Sequence, residues 1–210
     1  MTIVKPSHTI EHLPSEENIR LIEKIGRVCY KSEEKITENS WEKFLKMVID
    51  RGHESVLEHS QITIRFICDR GVSHELVRHR LASFSQESTR YVNYGNKDIE
   101  FIMPPVQFDD TLHGLVSKDG IVTDFVSTYS VCEEAYKRLL KRGVSPQIAR
   151  SVLPNALKTE IVMTANIREW RHILKLRTSK ASHPQMRELM IPLLEELQKQ
   201  IPIIFDDIKT

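Results

Sequence analysis

The sequence has few cysteines: three in all, Cys29, Cys68 and Cys132, widely spaced and without a Cys-x-x-Cys pair. That set excludes a disulfide framework and a thiolate zinc site. Each lies in an apolar segment, so each is expected to be buried and inert, packed as a small hydrophobe. There is no apolar run near the ~20 residues that span a bilayer, which excludes a membrane helix. Gly-x-Gly-x-x-Gly and Gly-x-x-x-x-Gly-Lys-Ser/Thr are both missing, so neither a Rossmann fingerprint nor a P-loop is available to hold phosphates. The opening MTIVKPSHTIEHLP has no basic start, apolar stretch or small-residue cleavage site, and the expectation is an unprocessed cytoplasmic protein. No repeat, low-complexity tract or linker breaks the chain, so residues 1–210 are expected to form a single domain.

A dominant charge is also lacking. Thirty Lys and Arg face 29 Asp and Glu, a net charge of +1, which gives no ground for a general nucleic-acid binder. What is present is an ordinary globular balance, 40% apolar and 28% charged. The charge is unevenly placed. Residues 1–60 carry nine basic and eleven acidic side chains, whereas residues 141–187 carry ten basic and two acidic. Such a concentration suits small anionic ligands gathered at one site.

The periodicity predicts helices and a few strands. Residues 15–30 read as a helix capped by Ser15, with Ile22, Ile25, Val28 and Cys29 on one face. Trp41, Phe44, Leu45, Val48 and Ile49 make the apolar stripe of a second helix, and Gly52 stops it. Residues 61–68 alternate like a strand, Leu76 to Ala82 look helical behind a cap at Ser73, and residues 99–103 form a short strand. A helix over 124–140 stops at Gly143, Ser145-Pro146 opens a short one, and residues 158–165 make another strand. Asn166 caps a helix to Arg177, and a last helix covers 185–200. Long helices without βαβ units imply an α+β fold, helices around a small, mostly antiparallel sheet.

Arginines stand where apolar residues belong. Arg177 follows Trp170, Ile173 and Leu174 on one stripe, and Arg80 would follow Leu76 and Val77. An inward guanidinium cannot lose its proton and needs an anionic or carbonyl partner. Arg78, Arg80, Arg90, Arg150, Arg168 and Arg177 lie in segments short of acids, which points to phosphates, whose oxygens match the guanidinium fork. A core ion pair is the plainer alternative. The His53-Glu54-x-x-x-Glu58-His59 cluster has ligand residue types, but histidines six apart face opposite sides of a helix, and no metal is expected.

Taken together, Arg78-His79-Arg80, seven residues, then Ser88-Thr89-Arg90 and Tyr91 resemble the hallmark of the flavin-dependent thymidylate synthase family. Gly52 to His59, Ala149 to Pro154, Asn166-Ile167-Arg168 and Leu176-Arg177 agree in order, so the resemblance covers most of residues 50–190. It implies a homotetrameric α+β methyltransferase with active sites between subunits. The enzyme would convert dUMP to dTMP with FAD as hydride carrier, NADPH as reductant and methylenetetrahydrofolate as carbon donor. By the same resemblance FAD would meet Ser55, Arg78, His79, Arg80, Gln86, Asn166, Ile167, Arg168 and His172. dUMP would meet Glu75, Arg78, Gln86, Glu87, Ser88, Thr89, Arg90 and Arg150. Arg177 would stand at the pyrimidine and favour ionisation at N3. The sequence departs from the commoner family pattern at Ser85-Gln86, where Asn-Glu is usual, at Glu75 for Gln, and at His172 for Asn.

Two other readings compete. A nucleic-acid module would set Arg78, Arg80 and Arg90 on phosphates with Tyr91 and Tyr94 stacking on bases. A metal hydrolase would use His53, Glu58 and His59. Neither cysteine attack nor attack by Ser88 is favoured, since no motif or base attends them.

Overall fold

The computed structural model describes residues 1–105 and 120–210. In chain order the strands are β1 (Thr2–Val4), β2 (Ser7–His12), β3 (Gln61–Asp69), β4 (Ala82–Gln86), β5 (Glu100–Ile102) and β6 (Lys158–Asn166). The helices are α1 (Glu16–Val28), α2 (Ser40–Asp50), α3 (Arg70–Leu76), α4 (Ile121–Lys141), α5 (Pro146–Ala149), α6 (Ile167–Arg177), α7 (Pro184–Gln200) and α8 (Pro202–Phe205). Helix and sheet are mixed as expected. One sheet has the order β2-β3-β6-β4, and β1 pairs with β5 in parallel. β3 and β6 are antiparallel: Ile167 N–H donates to Ser60 O and, further along, Thr63 bonds Thr164 hydroxyl to hydroxyl at 2.9 Å, so the contacts advance in opposite directions.

The chain forms two compact units. The first contains residues 1–7, 66–76 and 85–161. Its core is Tyr94, Ile99, Phe101, Met103, Val122, Tyr129, Tyr136, Ala149 and Leu157. α4 begins three residues before the expected start and ends near Gly143, whose φ of 82° is the left-handed conformation that stops a helix.

The second unit contains residues 8–65, 77–84 and 162–210. α1 carries a complete capping box: Asn18 N–H donates to Ser15 Oγ, and Ser15 N–H donates to Asn18 Oδ1. Its buried face is Ile19, Ile22, Glu23 and Gly26, with Val28 and Cys29 exposed, so the expected face is rotated. Gly26 sets this: a Cβ there would lie 2.5 Å from the Phe44 ring, and α1 can approach α2 only on that side. α7 buries Leu189, Leu193 and Leu197, four residues apart on one stripe, each contributing about 1.5–3 kcal/mol of burial. Trp170 of α6 is wholly buried, and its Nε1–H donates to Ile62 O of β3 at 2.9 Å. That bond seats the helix on the strand.

One expected helix is misplaced. α3 occupies residues 70–76, not Leu76 to Ala82, because Asp69 Oδ1 accepts Val72 N–H at 2.7 Å and starts the helix before Ser73. The turn is spent before Arg78. β1, β2 and β4 were not foreseen from the sequence. No helix among the described residues is long and apolar enough to cross a membrane.

Candidate functional site

In the second unit, β6 passes directly into α6. Asn166 ends the strand and caps the helix, its Oδ1 accepting Glu169 N–H at 2.8 Å. Arg168, His172 and Lys175 follow at helical spacing on the polar side. They line a cavity of about 550 Å³ with Glu54, Glu58, Leu81, Asn166 and Glu169. Arg168 Nη1 meets Glu58 Oε1 at 2.5 Å with both side chains about half exposed. Such a pair contributes roughly 0–1 kcal/mol and is readily exchanged for another anion. Ser55 is exposed on the turn that carries Glu54 and Glu58, and Ile167 is buried, its N–H donating to Ser60 O.

His79 is buried and receives Arg177 Nε–H on Nε2 at 3.0 Å, 98 residues away in sequence. Its Nδ1 lies 3.5 Å from Glu169 Oε1, and its ring stands edge-on to His172. Burial first, then the charges of Arg177 and His172, push the His79 pKa down to about 4. Arg78 and Arg80 are exposed on the loop before β4, and among the described residues neither is recorded in an ion pair. Arg80 is therefore not on an apolar stripe, because the helix expected there ends at Leu76.

In the first unit, Gln86 to Arg90 continue β4 into a turn. Gln86 Nε2 donates to Ser73 Oγ at 2.9 Å and to Thr159 Oγ1 at 3.2 Å. Glu87 Oε1 accepts the Tyr94 hydroxyl at 2.7 Å; burial first, then this bond, raises the Tyr94 pKa. Thr89 is buried and its Oγ1 accepts Arg150 Nη1–H at 2.8 Å. Ser88 accepts Arg90 N–H, and Arg90 itself is exposed, its guanidinium 5.5 Å from the Tyr91 ring centre. Glu75 is half-buried on α3. Glu87 also lines a cavity of about 330 Å³ with Tyr94, Lys97, Asp98, Glu100 and Lys158. There Lys158 Nζ lies 2.9, 3.3 and 3.8 Å from Glu160, Glu100 and Glu87. Burial alone would lower the Lys158 pKa; the bond to Glu160 and the charges of Glu87 and Glu160 outweigh it.

The wholly inward arginine is one the sequence pattern did not single out. Arg171 is 1% exposed; its terminal nitrogens reach Asp207 at 2.7 Å, Glu54 at 3.0 Å and Ile204 O. Arg177 is only half-buried. Segments poor in acids do find carboxylates, then: Glu58, Glu54 and Asp207 arrive from elsewhere in the chain. Arg171 borders the apolar stripe, between buried Ile167 and Leu174 on the helix face, and Glu54 and the return of the chain at α8 cover it. Glu169 and Lys175 were also missed, although their spacing from Arg168 and His172 marks the cavity face of α6. The cysteines divide: Cys68 is buried, Cys132 half-buried and Cys29 exposed. Burial first, then Asp69, pushes the Cys68 pKa up to about 12.

The family model described as thymidylate synthase complementing protein matches residues 10–203. A flavin-dependent thymidylate synthase of Corynebacterium aurimucosum is 35% identical over 203 residues, 92% of this chain and 81% of the relative. The enzyme of that name from Pyrococcus furiosus is 36% identical, covering 90% and 73% of the two chains. That from Mycobacteroides abscessus is 38% identical, covering 89% and 78%. Among solved structures, the UMP/dUMP methylase PolB of Streptomyces cacaoi, bound with 5-Br dUMP, superposes with a TM-score of 0.78. It is 26% identical, and the match covers 98% of this chain and 96% of that one.

Proposed function

The chain belongs to the thymidylate synthase complementing protein family, the flavin-dependent thymidylate synthases, and from that premise we propose that it methylates dUMP reductively to dTMP. FAD is the hydride carrier, NADPH the reductant and methylenetetrahydrofolate the carbon donor. The observation that carries the reading is the bond from Arg150 to Thr89. Two segments 61 residues apart, each assigned to dUMP on motif alone, meet through their polar ends.

Arg150, with the turn from Gln86 to Arg90, holds the nucleotide's phosphate and sugar by charge-assisted hydrogen bonds. Arg78 and Glu75 complete that set. Arg177 sets its positive charge against the pyrimidine, favouring loss of the N3 proton and stabilising negative charge that develops on the ring.

Ser55, Arg78, His79, Arg80, Gln86, Asn166, Ile167, Arg168 and His172 hold FAD. Three of these, Asn166, Arg168 and His172, line the cavity of about 550 Å³ beside α6. Arg168 exchanges Glu58 for a phosphate oxygen at little cost, and Arg78 and Arg80 stand exposed in a loop rather than in a core ion pair. Bound flavin supplies the hydride; the protein supplies orientation and charge. No cysteine attack is needed, in keeping with a Cys68 thiol that burial holds protonated.

The protein works as a homotetramer with sites shared between subunits. Large apolar side chains left exposed near the assigned segments support this, among them Leu81, Tyr91 and Ile148.

The test is reconstitution. Purified protein binds FAD and turns yellow, NADPH bleaches the colour with dUMP present, and dTMP appears when methylenetetrahydrofolate is added. A colourless protein that no FAD reconstitutes sinks the proposal.

A further inference from the structure

Arg177 donates its Nε–H to His79 Nε2. A ring nitrogen that accepts carries no proton, so the neutral imidazole bears its proton on Nδ1. That nitrogen faces the Glu169 carboxylate, 3.5 Å away. His79 and Glu169 are 6% and 9% exposed, so little water reaches the imidazole. The His79 pKa of about 4 keeps the ring neutral and accepting at neutral pH.

The donor atoms of His79, Glu169 and His172 also lie within 4.8 Å of one another, a spacing that would suit a cation. The Arg177 bond speaks against one. A metal on Nδ1 would require an imidazole stripped of both protons, whereas metal-bound histidines donate their second N–H to an acceptor. Without His79 only two ligands remain. Glu169, His79 and Arg177 make better sense as a row: the carboxylate 3.5 Å from the Nδ1 edge of the imidazole, and the imidazole accepting from the guanidinium.

We infer that Glu169 and His79 are positioning residues for Arg177: the Glu169 charge beside Nδ1 favours the tautomer that keeps its proton there, and His79 grips Arg177 by Nε, setting the plane of the guanidinium presented to the pyrimidine. This rests on the proposed function and goes beyond the flavin contact that the Arg-His-Arg motif implies. An arginine held at Nε cannot swing about its last torsion, and a small misplacement of a group at a reacting centre can cost about 100-fold in rate.

The experiment compares FAD-loaded enzymes for kcat and KM toward dUMP, with flavin content read from absorbance. His79→Leu, assayed at saturating FAD and normalised to bound flavin, lowers kcat about 100-fold. His79→Gln, whose amide oxygen can accept from Nε, recovers most of the loss. Glu169→Gln falls between them, about 10-fold down. In an Arg177→Lys background, where Nε is gone, adding His79→Leu changes kcat by no more than about twofold. Histidine ¹⁵N spectra of the wild-type enzyme show Nδ1 protonated and Nε2 bare. Equal damage from the Leu and Gln variants, a wild-type kcat per bound flavin in His79→Leu, or additive losses in the double variant overturns the inference. So does the opposite tautomer, whatever the substrate. If the tautomer stands but wild-type enzyme makes no dTMP, the error lies in the function assigned and the pyrimidine role falls with it.

Discussion

Asp207 takes both terminal nitrogens of Arg171 on its two oxygens, each at 2.7 Å, in a fork-to-fork clamp. Glu54 joins from the other side. A buried guanidinium is costly to desolvate, and the pairing holds only while its partners remain. Burial pushes the Asp207 pKa up, but the Arg171 bonds outweigh it and leave the pKa below its ordinary value.

Arg171→Ala should therefore cost about 3–5 kcal/mol, since it strands carboxylates in and beside a cavity wall. The urea midpoint measures it. Asp207→Asn should cost less, because Asp207 is 43% exposed and water can take its place. An Arg171→Ala protein as stable as the parent would show that the clamp holds nothing.

Acid should weaken the fold through His79. Its folded pKa of about 4 lies below the unfolded value of 6.5. Between those values the unfolded chain binds the proton and the folded chain does not, so stability is lost as pH falls from 6.5 to 4. The loss is roughly 3 kcal/mol when complete. Urea midpoints across that range should be flatter for His79→Gln; an equal slope in both proteins would remove His79 as the cause.

Arg177→Ala should abolish dTMP formation while the protein stays folded. Circular dichroism checks the fold and product analysis the activity. Substantial turnover in this variant would strip Arg177 of its place at the pyrimidine.

Gly26→Ala should destabilise by about 1–3 kcal/mol, the usual cost of overpacking. The added methyl meets the buried Phe44 ring at 2.5 Å. Gly26→Ala combined with Phe44→Leu should recover part of the loss, and no recovery would place the strain elsewhere.

Thiol chemistry should be dispensable. Cys29→Ser, Cys68→Ala and Cys132→Ser should together keep dTMP formation near the parent level, and a thiol reagent should modify exposed Cys29 first. Alanine is chosen at 68 because a hydroxyl there would be buried among apolar side chains. Loss of activity in a folded triple variant would mean a cysteine takes part.

The long helices were legible because each combines a stripe of apolar residues with local stop or start signals: Ser15, Gly52, Gly143 and Asn166 all act where the sequence placed them. α3 was misread because two cap residues, Asp69 and Ser73, lie close together, and only the fold reveals which accepts the first amide. β1, β2 and β4 were hidden for another reason. They are short, and their pairing partners lie far along the chain, so nothing local marks them. At the candidate site, the motif assigned Arg150 and the Ser88 to Arg90 segment to one ligand, and the structure brings Arg150 against Thr89. Glu169 and the Arg171 clamp were not, because their meaning depends on carboxylates and a tail that sequence distance separates.

Asn166 is the last residue of a strand and the cap of the next helix, with no spacer between the two. The cavity face of α6 therefore inherits its angular setting from the sheet. A single residue inserted after Asn166 would rotate Arg168, His172 and Lys175 by about 100° around the helix axis and turn the cavity-lining side towards the core. Length at this junction is as strictly specified as the identity of any residue beside it.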